Sequence, residues 1–90
     1  MLNDEILLKQ NYPNPFNPIT SISFILPMQT GVKINIYNIL GELVTNLIED
    51  DFSKGTHSIN FDALGLQSGI YFYTLQANDF VKTKKMILLK

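Results

Sequence analysis

The 90 residues contain no cysteine, no arginine and no tryptophan. Without cysteine the chain has neither disulfides nor thiolate metal ligands, and its fold is indifferent to redox compartment. Without arginine it has no planar fork for bidentate contacts to phosphate or guanine. All seven basic residues are lysines, and the formal net charge is −1. Four of them (Lys82, Lys84, Lys85, Lys90) lie in the last nine residues. They fit a solvated strand edge and tail, with no basic helix or nucleic-acid module around them, so no nucleic-acid partner is expected. No apolar run approaches the roughly 20 residues of a membrane-spanning helix. Met1–Gln10 carries two acids and lacks the apolar stretch of a signal peptide. Any export signal is therefore expected elsewhere, and the 90 residues are expected to be part of a longer protein. The five glycines stand singly, so there is no glycine-rich phosphate loop.

What is present is a rhythm of short apolar segments cut by turn formers, the pattern of an all-β chain. Ile6–Lys9 is a short leading strand. Asn11–Pro18 reads Asn-Tyr-Pro-Asn-Pro-Phe-Asn-Pro. Its prolines fix φ and bias their predecessors towards extended backbone. The segment is expected to be an extended proline-rich connector, with Tyr12 and Phe16 pinned to the core. Ile22, Phe24 and Leu26 alternate with Ser21 and Ser23. Val32, Ile34 and Ile36 alternate with Lys33 and Asn35. Asn38–Gly41 is a hairpin turn in which Gly41 can take positive φ. Asp50–Gly55 is polar and turn-like. His57, Ile59 and Phe61 share one face of the next strand. Gly69–Ala77 is aromatic and β-branched, Asn78-Asp79 is a tight turn, and Phe80–Leu89 closes the chain.

One segment reads two ways. Ile39, Leu40, Leu43, Val44, Leu47 and Ile48 have the i, i+3, i+4, i+7 spacing of an amphipathic helix. Helix and strand are equally compatible with Gly41–Asp50 by periodicity alone. A glycine early in a helix costs about 1 kcal/mol against alanine, and the neighbours are strands, so strand is the expectation. About seven short strands in one domain spanning 1–90 then predict an immunoglobulin-like antiparallel β-sandwich. The last segment, Met86–Leu89, is apolar on both faces. As an exposed sheet edge it would invite strand addition. The equal alternative is that the monomer covers it itself.

Catalytic chemistry is thin. The lone His57 has no sequence neighbour suited to a triad. The eight carboxylates show no pairing on a cleft of the kind glycoside hydrolysis needs. Glu49-Asp50-Asp51 lacks the spacing and central glycine of an EF-hand loop, so a solvated acidic turn is the reading and no metal or cofactor is expected. Tyr12, Tyr37, Tyr71 and Tyr73 are more readily packed with a bonded hydroxyl than laid out as a sugar-stacking platform. Tyr71 stands where a tyrosine corner would be.

Asn11–Pro18, followed by Thr20, Ile22, Phe24 and Leu26-Pro27, resembles the opening of the type-A C-terminal sorting domains of the type IX secretion system. Val32, Ile34, Ile36-Tyr37-Asn38, Gly41 and Val44 resemble their second block. Ser68–Tyr73 resembles the third, and Lys85–Lys90 the terminal one. The likeness runs in order from Leu8 to Lys90. It implies an immunoglobulin-like fold carried behind an N-terminal cargo domain. It also implies recognition by the outer-membrane translocon and shuttle, and removal by a sortase after transit through the periplasm to the cell surface or medium. Carried over, the recognition residues are Gly69, Tyr71, Lys85, Met86, Leu88 and Lys90. Two departures stand out: Asn38 where such domains often have Asp, and Glu42 where Arg often follows the glycine. The stretch from Asp62 to Ser68 is a short form.

Three functions compete. A non-catalytic sorting signal leads, with Val81–Lys90 as its docking element and Lys82, Lys84 and Lys85 deterring edge aggregation. A structural or adhesive module that self-associates through the C-terminal edge strand, or binds a surface partner, is second. An enzyme would need a pocket that so short a chain gives no reason to expect.

Overall fold

A computed structural model describes residues 5–90 and shows seven strands. They are β1 Leu7–Leu8, β2 Ile19–Leu26, β3 Thr30–Asn38, β4 Leu43–Phe52, β5 Gly55–Asp62, β6 Gly69–Ala77 and β7 Phe80–Leu88. One sheet has the order β1-β2-β5 and the other β4-β3-β6-β7, all pairs antiparallel. The expected sandwich is therefore the observed one. Relative to a constant-type immunoglobulin sandwich, β4 lies beside β3 and not beside β5.

Alternation sets what lies between the sheets. Ile22, Phe24 and Leu26 of β2 face Val32, Ile34 and Ile36 of β3 and Tyr71, Tyr73 and Leu75 of β6 across one core. Each of these is essentially sealed from solvent. The outer face of β2 and β5 carries serines and asparagines that bond across the strands, Ser21 to Asn60 and Ser23 to Ser58, both at 2.7 Å. His57 points inward with Ile59 and Phe61, as the alternation predicts. Its ring packs on Phe24 and Phe52 at centroid distances of 5.6 and 5.0 Å. Its Nε2 donates to the Ser53 carbonyl at 2.8 Å, so it is a packing residue with a local bond.

The ambiguous segment is a strand, and its pairing explains the helical look. Ile34 opposes Ile48 and Asn35 opposes Asn46, which leaves Leu47 as an extra residue. Ile36 opposes Thr45 and Tyr37 opposes Leu43, which leaves Val44 as a second one. Each bulge shifts the alternation by one. Val44, Leu47 and Ile48 consequently all reach the core margin. Two bulges three residues apart turn a period of two into the spacing of a helix stripe. β4 also runs on to Phe52, past the acidic residues expected to form a turn. As the edge of its sheet it can send Glu49 and Asp51 to solvent while pairing with Lys33 and Gly31.

The Asn78-Asp79 hairpin is as tight as expected, joining Ala77 to Phe80, with Asn78 at φ 53°. Asparagine tolerates that left-handed conformation better than most residues.

Candidate functional site

The six residues singled out from the sequence gather at one end of the β6–β7 hairpin. Gly69 pairs with Leu88, and Tyr71 pairs with Met86. The Tyr71 hydroxyl donates to the Gln67 carbonyl at 2.8 Å, four residues upstream. That is the tyrosine-corner contact, and it ties the start of β6 to the loop before it. The six do not share a surface. Met86 and Leu88 are fully buried and Tyr71 nearly so, whereas Gly69, Lys85 and Lys90 are exposed. Met86 and Leu88 build the core, whereas Leu89, 55% exposed, and the two lysines face solvent. The Lys90 N–H donates to Ser68 Oγ at 3.0 Å, closing the end of the chain on the β5–β6 loop.

β7 is a sheet edge, and between the open and the covered strand that the sequence left equal the structure takes a middle course: half of it is covered. The covering element is the proline-rich segment. The Phe16 N–H donates to the Ile87 carbonyl at 2.9 Å, and the Leu89 N–H donates to the Phe16 carbonyl at 3.0 Å. The Ile87 N–H donates to Asn14 Oδ1 at 2.9 Å. Gln10 Nε2 donates to the Lys85 carbonyl at 2.6 Å. From Lys85 to Leu89, then, the main-chain groups on the outer side of β7 are engaged by a strap running from Gln10 to Phe16. The strap's bonds stop at Lys85, and Val81–Lys84 lies beyond their reach.

Two buried residues anchor the strap. Phe16 is 2% exposed and packs on Phe61 with ring centroids 6.2 Å apart. Asn11, also 2% exposed, is the polar anchor. Its N–H donates to the Tyr73 hydroxyl at 2.8 Å, and that hydroxyl donates to the Lys9 carbonyl at 2.7 Å. Asn11 Nδ2 donates to Thr20 Oγ1 and to the Pro13 carbonyl. No buried side-chain polar atom among the described residues lacks a partner. Burial pushes the Tyr73 hydroxyl up to about 12, against a smaller opposing effect from the Asn11 N–H, which favours the phenolate. The bonds from Tyr12–Pro13, Asn14–Pro15 and Asn17–Pro18 are cis.

Tyr12 corrects the expectation that it would be pinned to the core. It is 82% exposed. With Asn11 facing inward, an extended backbone turns the next side chain outward. Gln10 and Asn14 were not identified from the sequence. Each reaches a strand more than 70 residues away, and no local periodicity carries such a pairing.

The two departures in the second block touch each other. Asn38 Oδ1 accepts the N–H groups of Leu40 and Glu42 at 2.9 and 3.0 Å, while Asn38 Nδ2 donates to Glu42 Oε1 at 2.7 Å. An aspartate facing an arginine would fill the same two places with an ion pair. Asn38→Asp alone is expected to cost about 1 kcal/mol, because it sets a carboxylate against Glu42 in place of a donor. Adding Glu42→Arg should recover most of that, a coupling that urea unfolding of both single variants and the double variant measures.

Elsewhere the surface offers grooves. One of about 660 Å³ lies between β1 and the β6–β7 turn, lined in part by Ile6, Leu8, Phe80, Lys82 and Lys84. Another, about 440 Å³, lies beside Glu49, Asp50 and Asp51. Among the described residues no three His, Cys, Asp or Glu side chains cluster to hold a metal ion.

Compared with known proteins, residues 10–89 match the family model described as the secretion system C-terminal sorting domain. No curated protein and no solved structure matches the chain. The matched span begins at the strap and ends one residue past β7, so it takes in both halves of the site. The chain belongs to the C-terminal sorting domain family of the type IX secretion system, whose members engage that machinery and mark proteins for the cell surface or the medium.

Proposed function

We propose that this domain is a non-catalytic sorting signal whose recognition element is the open end of the β6–β7 hairpin. Tyr71, Met86 and Leu88 act from within, and Gly69 through its pairing with Leu88, by fixing where the last strand lies. Lys85 and Lys90 act by contact. The observation that carries this reading is the division within the terminal block, with Met86 and Leu88 sealed in the core while Lys85 before them and Lys90 after them stay exposed. The partners are the outer-membrane translocon and its shuttle, and a sortase that separates domain from cargo. The cargo precedes the domain in the chain, and the route crosses the periplasm. Residues 1–90 serve as one unit, with 11–18 its connector. Self-association through the β7 edge is confined to Val81–Lys84, where Lys82 and Lys84 oppose it.

The test is export. Residues 1–90 are fused behind a signal peptide and a fluorescent reporter, in a bacterium with the type IX system, beside a version lacking Lys85–Lys90. Delivery to the surface or medium is expected from the full fusion alone. Equal delivery by both would show that the terminal block is not the signal.

A further inference from the structure

The strap changes what a partner meets at the terminal strand. Between Lys85 and Leu89 the outer main-chain groups of β7 already bond Gln10, Asn14 and Phe16. A partner reading this end of the hairpin by main-chain pairing would have to expel Phe16 from the core. It can read side chains without disturbing anything.

Tyr12 is the strap's exposed ring. Gln10 bonds Lys85 and Asn14 bonds Ile87, and Tyr12 lies two residues from each. No more than about 7 Å of chain separates it from either clamp. Its backbone is held on both sides: the Tyr12 N–H donates to the Ser21 carbonyl at 3.0 Å, and the Ser21 N–H donates to the Tyr12 carbonyl at 2.9 Å. Buried Asn11 precedes it and Pro13 follows. An 82% exposed ring on so fixed a backbone loses little conformational freedom when it is gripped. An exposed aromatic alone is unremarkable. Here two further observations point to a partner. The backbone beneath the ring is fixed, and the strap and the terminal block themselves carry no acid, the neighbouring carboxylate being Asp62 of β5, opposite Ile19. Lys9, Lys85 and Lys90 are exposed on these two segments of the chain, and neither residues 6–19 nor residues 80–90 contain an acid.

We propose that the strap and the terminal block form one composite recognition surface, with Tyr12 as its aromatic contact. It fits a protein face with a slot for an aromatic ring, rimmed by carboxylates that meet Lys85 and Lys90. The occupant is the component of the secretion machinery that reads the terminal block, so the inference rests on the function proposed above. A ring filling a desolvated slot contributes the share of a binding hot spot.

The experiment uses the same fusion with Tyr12→Ala, Tyr12→Phe and the Lys85–Lys90 deletion, together with thermal unfolding of each purified domain. Tyr12→Ala should lower surface delivery by about tenfold or more, with the unfolding temperature unchanged, and Tyr12→Phe should export normally. Normal export of Tyr12→Ala beside a failed deletion overturns the composite surface and leaves the terminal block as the signal. Normal export of the deletion overturns the function itself. If Tyr12→Ala loses export only in proportion to lost stability, the ring is structural and the proposal falls. Sedimentation with anionic phospholipid vesicles supplies the last arm: binding that Tyr12→Ala abolishes would assign the surface to lipid and overturn a protein partner.

Discussion

Phe16→Ala is expected to destabilise the domain by about 3–5 kcal/mol, the range for emptying an aromatic site in a packed core. The ring is 2% exposed and packs on Phe61. Its backbone makes two hydrogen bonds to the outer edge of β7, which the substitution leaves in place only if the strap stays docked. For a chain of this size total stability is on the order of 5–13 kcal/mol, so the loss is a large share of it. Urea unfolding with an unchanged slope would measure it directly. Phe16→Leu, which refills most of the volume, should lose far less. A loss below about 1 kcal/mol for Phe16→Ala would mean that the strap is not part of the packed structure. Such a result would also reopen main-chain pairing at β7, because the edge would then be free.

The second large effect is expected at Tyr73. Its hydroxyl donates to the Lys9 carbonyl and accepts from the Asn11 N–H, inside the core. Tyr73→Phe keeps the ring and leaves both backbone groups without that partner. At about 1–3 kcal/mol for each of the two groups left unsatisfied, the expected loss is roughly 2–6 kcal/mol. The hydroxyl also gives the fold a pH limit. Its pKa is raised to about 12 from an ordinary value of 10. In the unfolded chain it ionises first, so the unfolded state holds fewer protons than the native state between those values. Stability is therefore fully present below about pH 10 and falls as pH rises towards 12. Urea midpoints measured from pH 9 to 11.5 should decline in the parent, and more gently in Tyr73→Phe. Equal slopes would show that Tyr73 does not govern the decline.

Both predictions concern the strap, because the strap joins fold and function here. It leaves β1, bridges to β2 at Ser21 and crosses to β7 at Leu88, linking the two sheets. The residues that hold it, Asn11 and Phe16, are the ones a sandwich needs to close this side. The residue it presents, Tyr12, is free of that duty.

The strands were legible in the sequence wherever the chain alternates without interruption. β2, the middle of β3, β5 and β6 each show a period of two, because one face is buried and the other wet. The turns at Asn38–Gly41 and Asn78-Asp79 were legible for a local reason as well, since side chains there bond their own backbone or tolerate positive φ. The resemblance of four blocks in order identified the sorting domain, and the family match over residues 10–89 agrees.

Other features were decided only by the tertiary structure. β4 looked half helical because Val44 and Leu47 are bulged, and a bulge exists only relative to the partner strand that opposes it. The end of β4 was read as a turn because edge strands tolerate charge, and edge position is a property of the sheet. The fate of the last strand was undecided for the same reason. Its apolar residues say that it is covered, but the cover comes from Gln10, Asn14 and Phe16, more than 70 residues earlier in the chain. Tyr12 and Phe16 are both aromatic neighbours of proline, and composition treats them alike. Burial of Asn11 turns one outward, and the gap beside Phe61 takes the other in, so the same motif yields a core anchor and an exposed contact.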